Sequence, residues 1–137
     1  MSKTIFPLKG DASGADVERR RHILCAEDHE DTRAMMAILL DMCGYEVTTA
    51  GSVAETLPLT KRGGFDLFIL DGIYTDGFGV DLCKQIRTFD ARTPIFFLTA
   101  CAYQADIKKG LESGAQAYIT KPFEFDKLTQ TIEQFVL

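Results

Sequence analysis

No apolar run in the chain comes near the ~20 residues that a membrane span requires, so no membrane span is expected. The opening MSKTIFPLKG lacks the long apolar stretch of a secretory signal. There is no excess of basic residues: the net charge is −5, and a duplex nucleic-acid binder normally presents a basic face, so no direct nucleic-acid contact is expected. There is no CxxC pair. The four cysteines (Cys25, Cys43, Cys83, Cys101) stand far apart, which argues against a zinc site or a disulfide frame. They read as reduced, mostly buried thiols of a cytoplasmic protein. At 137 residues the chain fits one domain with one core and is too short for a second, effector domain.

Residues 1–21 differ from the rest. They hold Pro7, Gly10 and Gly14, few large apolar residues after Leu8, and the run Arg19-Arg20-Arg21. Their charge is +2, five Lys/Arg against three Asp/Glu, which leaves −7 on the remainder. Such a stretch buries too little surface to offset its ordering entropy and is expected to be a flexible tail outside the core.

From residue 22 the pattern alternates between strand and helix. HILCA (22–26) is an apolar run. A helix follows to about Cys43, with Met35, Ile38, Leu39 and Met42 at i, i+3, i+4 and i+7, and Gly44 placed to stop it. YEVTTA (45–50) reads as a strand. Ser52 can cap a helix to about Arg62 that has Pro58 inside it. DLFIL (66–70) is a strand followed by a Gly-rich loop, and Leu82, Ile86 and Phe89 mark a third helix. PIFFLT (94–99), a helix over about 103–113, QAYIT (116–120) and a helix striped by Phe125, Leu128, Ile132 and Phe135 complete the series. Near-continuous apolar strands suit a parallel sheet with helices on both faces. Ligands of such sheets bind outside the carboxyl ends of the strands.

The polar residues at those ends are specific. Glu27-Asp28 follow the first strand, Asp71 the third, Thr99 closes the fourth and Lys121 follows the fifth. Three carboxylates on one rim repel each other unless a cation sits among them, and Mg²⁺ suits an all-oxygen set. A lysine and a hydroxyl beside them would hold a further anion such as a phosphoryl group.

With ILCAED around the acid pair, FDLFILD ending at Asp71, Gly79, PIFFLTA around Thr99 and GAQAYITKPF around Lys121-Pro122, the chain resembles the receiver domain of two-component response regulators over 22–137. The resemblance implies the flavodoxin-like (βα)5 α/β fold, a doubly wound parallel sheet of strand order 2-1-3-4-5. It implies Asp71 as phosphoacceptor. Asp28 and Asp71 would hold Mg²⁺ directly, Glu27 through water, with the Ile73 backbone carbonyl added. Thr99 and Lys121 would hold the phosphoryl group, Thr99 and Tyr118 would form the switch, and Lys121–Pro122 would be cis. The implied donor is a histidine kinase or phosphotransfer protein. With no output domain expected, the protein would act by docking a downstream protein target on about 103–137, as a signalling protein rather than an enzyme. The loop departs from the family: Tyr74-Thr75 stand where Met-Pro is usual, which implies a looser loop.

His29 reads as the start of the first helix, and the resemblance implies that Ile73 and Cys101 flank the approach of water to Asp71. Two other classes fit less well. A flavodoxin needs a phosphate-cradling loop where this chain has Glu27-Asp28-His29-Glu30-Asp31, and a dehalogenase-like phosphatase needs a second acid at position 73. A receiver-like interaction module acting without phosphorylation is the remaining alternative.

Overall fold

The computed structural model describes residues 20–136. In chain order these form β1 (His22–Ala26), α1 (Glu30–Met42), β2 (Glu46–Ala50), α2 (Val53–Arg62), β3 (Leu67–Leu70), β4 (Ile73–Tyr74), β5 (Gly77–Phe78), α3 (Gly79–Arg87), β6 (Ile95–Thr99), α4 (Gln104–Glu112), β7 (Ala117–Thr120) and α5 (Phe125–Val136). The five longer strands make one parallel sheet in the order β2-β1-β3-β6-β7, the doubly wound arrangement expected from the sequence. The short strands β4 and β5 form a separate antiparallel hairpin within the segment expected to be a Gly-rich loop.

Strand alternation divides the core in two. Ile23, Cys25, Leu67, Ile69, Phe96 and Leu98 face α1 and α5, where they meet Met36, Leu40, Leu128, Ile132 and Val136. Leu24, Ala26, Phe68, Leu70, Ile95 and Phe97 face the other way, against Leu82, Cys83 and Ile86 of α3 and the half-buried Leu57 of α2. The inner face of α2 is partly polar: Thr56 and Thr60 are buried, and their hydroxyls donate to the Ser52 and Leu57 carbonyls. Ser52 caps this helix as expected, its Oγ accepting the Glu55 N–H at 3.0 Å.

The inner face of α1 differs from the expected one. Met36 and Leu40 are buried, whereas Met35, Ile38 and Met42 are 46%, 61% and 77% exposed. The cause lies in the first turns. Arg33 donates through Nη1 to the Glu27 carbonyl at 2.8 Å, so it faces the sheet. Met36 and Leu40 follow it at i+3 and i+7 and turn inward with it.

Arg20 and Arg21, read as part of the tail, belong to the described domain. Arg20 bonds the Gly44 carbonyl and the Asp41 carboxylate, each at 2.9 Å, and Arg21 lies 3.9 Å from Asp66. The rest of the expected tail lies outside the described residues. All four cysteines are unpaired, but only Cys25 and Cys83 are buried; Cys101 is half-buried and Cys43 exposed, so the expectation of mostly buried thiols holds for two of the four. Burial pushes the Cys25 thiol up to about 12, with the Glu27 charge adding to it. Among the described residues no helix is long and apolar enough to cross a membrane.

Candidate functional site

The site stands where the sequence places it, at the carboxyl ends of β1, β3, β6 and β7. Its side chains divide between the two faces of the sheet by continuing the strand alternation. Glu27 follows Cys25, Asp71 follows Ile69 and Lys121 follows Ile119, all in step with residues on the α1/α5 side. Tyr118 is in step with the opposite side, where it packs beside Phe97, and Thr99 comes two residues after Phe97 on that same face. The ladder extends by one bond, Lys121 N–H to the Thr99 carbonyl at 2.8 Å, and this delivers Lys121 to the rim. The Lys121–Pro122 bond that follows is cis, as expected.

Glu27, Asp28 and Asp71 each place a carboxylate oxygen within 4.8 Å of the others. Glu27 is buried and fully engaged: Oε1 accepts from Lys121 Nζ at 2.6 Å and Oε2 from the His29 N–H at 3.0 Å. Lys121 also reaches Asp71 Oδ2 at 3.3 Å, while Asp71 Oδ1 accepts the Gly72 N–H at 2.5 Å. Burial alone would lower the Lys121 pKa. The hydrogen bond that Lys121 donates to Glu27 and the charge of Asp71 outweigh burial and hold the amine above its ordinary 10.5. The Asp28 carboxylate makes no hydrogen bond or ion pair with a described residue. His29 occupies the N-cap position of α1, as expected, and lies outside the carboxylate cluster.

Thr99 is buried, and its Oγ1 accepts the Cys101 N–H at 3.2 Å. Tyr118 donates its hydroxyl to the Cys101 carbonyl at 2.6 Å and lies 5.5 Å from the Phe97 ring. Residue 101 therefore ties the two switch candidates together through its backbone. Glycines set the clearances here. A Cβ on Gly72 would stand 2.9 Å from Thr99 Oγ1, and one on Gly110 of α4 would stand 2.6 Å from the Tyr118 ring. Ile73, in β4, is 53% exposed and borders, with Cys101, a cavity of about 710 Å³ between α3 and α4.

The loop after Asp71 is more fully held than its missing proline implied. Tyr74 is buried and bonds both β1 and Asp71, and Asp76 caps α2 from outside by accepting the Val53 and Ala54 N–H groups at 2.9 and 3.0 Å. Sequence reasoning missed the structural work of Tyr74, Asp76 and Arg33. For Arg33 a signal was available: a basic residue six positions after Glu27, on the first turns of a helix, can reach back to the strand-end carbonyls.

A doubly wound sheet carrying an acid cluster and a lysine at its carboxyl rim defines a class, and sequence comparison shows which. The chain belongs to the response regulator receiver domain family of two-component systems, whose family model matches residues 23–133. It is 37% identical over 111 residues to the nisin biosynthesis regulatory protein NisR of Lactococcus lactis, covering 81% of this chain and 48% of that protein. The chain spans about half the length of the curated relatives it matches, which include transcriptional regulators. Among solved structures it is similar to the non-phosphorylated HemR receiver domain of Leptospira biflexa (32% identity, TM-score 0.80, 85% of this chain and 94% of that one). It is also similar to the response regulator TrrA of Thermotoga maritima in complex with Mg²⁺-BeF (29% identity, TM-score 0.77, 84% of this chain and 98% of that one).

Proposed function

We propose that the chain accepts a phosphoryl group on Asp71 from a histidine kinase or phosphotransfer protein and conveys that state to a protein partner over 103–137. The observation that carries this reading is the set of three carboxylates within 4.8 Å of one another, with Lys121 against Asp71. An Asp71 oxygen attacks phosphorus as the donor's bond to phosphorus breaks. One negative charge on the side chain becomes two, and Lys121 stands ready to pair with the added oxygens. Transfer between two anions needs charge neutralisation, and bound Mg²⁺ would supply it. The donor set fits a hard cation, being all oxygen. Asp28, whose carboxylate is free of other bonds among the described residues, and Asp71 would bind directly, the buried Glu27 would act through water, and the Ile73 carbonyl would complete the protein ligands. The Thermotoga maritima relative, solved with Mg²⁺-BeF, supports this assignment.

A shift of the Thr99 hydroxyl toward a phosphoryl oxygen would stretch or break the bond it accepts from the Cys101 N–H. Tyr118 holds the carbonyl of that same residue, so a shift of Thr99 reaches the Tyr118 ring and the α4 surface beside it. The protein is then a signalling element whose only chemistry is its own phosphorylation and slow hydrolysis. Incubation with acetyl phosphate and Mg²⁺ should give an 80-Da adduct by intact mass, lost with EDTA or in Asp71→Asn. An adduct that persists in Asp71→Asn refutes the site, and no adduct under any condition favours an interaction module that works unphosphorylated.

Lifetime should be long. Ile73 and Cys101 border the approach to Asp71, and neither has a charge or amide to orient water. Positioning help is worth ~10²–10⁴-fold where it exists. Ile73→Asn is expected to shorten the half-life severalfold with labelling intact, read by decay of the adduct after removal of the phosphodonor; a longer half-life would reverse the argument.

A further inference from the structure

The ladder between β1 and β3 ends with Ala26 opposite Leu70. In this register the next rung of a parallel ladder would join the Asp71 N–H to the Ala26 carbonyl. The Tyr74 hydroxyl stands in that rung instead. It accepts the Asp71 N–H at 2.7 Å and donates to the Ala26 carbonyl at 3.0 Å. The ring is 4% exposed and packed in the core on the α3 side, so its position is fixed.

We propose that Tyr74 is a positioning residue for the acidic pocket: its hydroxyl, interposed between the ends of β1 and β3, sets the spacing of Asp71 from the Glu27–Asp28 pair. This rests on the reading of those acids as the Mg²⁺ and phosphoryl site. The reasoning is geometric. Glu27 follows Ala26 directly, and Asp71 is itself the residue whose amide is held. A direct rung would bring the two backbones one hydroxyl closer, and loss of both bonds would let them drift. Either way the carboxylates leave their present separation, and a site built from several short oxygen contacts responds steeply to such shifts.

Tyr74→Phe removes the hydroxyl and keeps the ring. Mg²⁺ affinity, followed by the amide NMR shifts of residues 28 and 71 during titration with MgCl₂, is expected to weaken by roughly tenfold, the low end for removing a group that orients metal ligands. Acetyl phosphate labelling should slow at limiting Mg²⁺ and recover in part at saturating Mg²⁺. Phe65→Leu, a core change far from the acids, should lower the melting temperature while leaving Mg²⁺ affinity and labelling as they are. Wild-type affinity and labelling in Tyr74→Phe would overturn the proposal, as would an equal loss in Phe65→Leu. Independently of any variant, the Asp71 amide of the wild-type protein should be protected from hydrogen exchange; exchange at an unprotected rate would overturn the proposal even if Tyr74→Phe did not fold. Failure of the wild-type protein to bind Mg²⁺ or to be labelled would instead sink the reading of the site itself.

Discussion

Lys121→Met is expected to destabilise the fold by about 3 kcal/mol at neutral pH, the low end of the range for stripping one partner from a buried ion pair. The low end applies because the Lys121 side chain is 23% exposed, whereas that of Glu27 is 6% exposed. Without the ammonium group, the Glu27 carboxylate keeps only the His29 N–H, and three carboxylates remain together with no cationic group of the described residues bonded to any of them. Added Mg²⁺ should return part of the loss by binding the folded state, and the double variant Lys121→Met/Glu27→Gln should return most of it, because the stranded charge is then gone. The sign of the pH dependence follows from the raised lysine. A base held above its unfolded value stabilises the fold at every pH below the ordinary lysine range and loses that contribution only as pH climbs through the higher folded value. The lysine's share of the difference between wild type and variant therefore stays level through neutral and mildly alkaline pH. Urea titration with and without Mg²⁺ measures all of this. A variant as stable as the wild type would mean that solvent already screens Glu27.

The second large effect is expected at Gly79. This glycine opens α3 and donates its N–H to the Gly72 carbonyl at 2.8 Å, closing the loop that begins at the acceptor. A Cβ there would lie 2.0 Å from the Asp71 carbonyl oxygen and 2.8 Å from Phe97 Cε1. The first neighbour is backbone, so no rotamer change relieves the clash; the start of α3 and the strand end must part. Gly79→Ala should cost roughly 3 kcal/mol, the upper part of the usual range for overpacking, and lower the melting temperature by about 10 °C. Because the displaced carbonyl belongs to Asp71, Mg²⁺ affinity should fall as well. A melting temperature within a degree or two of wild type would show that the helix start can move freely.

Much of this arrangement was legible in the sequence, for reasons that differ by residue. Asp71 and Lys121 were legible because each closes an apolar strand, and a parallel sheet gathers such ends on one rim. The five long strands and their order followed from the apolar runs and from the family resemblance. The face of α1 was not legible. Its segment MMAILLDM supplies two overlapping apolar rows, and the choice between them is made by Arg33 reaching the Glu27 carbonyl. The hairpin of β4 and β5 was hidden for a related reason: two-residue strands have no measurable alternation. Tyr74 stood out as a departure from the family's usual Met, but a side chain that bridges two backbones through one hydroxyl leaves no periodic trace.

A proline in the loop after Asp71 would narrow the conformations of the unfolded chain as well as the folded one, and its effect would persist on heating. This chain restrains the same loop with hydrogen bonds, which exist only once Ala26, Val53 and Ala54 are in place. The restraint is thus enthalpic and conditional. Bonds from Val53 and Ala54 hold the Asp76 carboxyl below its ordinary 3.8, so its cap on α2 is present above that range and lost only as pH falls through the lower folded value. The segment beside the phosphoacceptor is held by its folded neighbours, and it is expected to slacken with warmth or strong acid before the sheet beneath it does, with amide hydrogen exchange over residues 72–78 as the measurement.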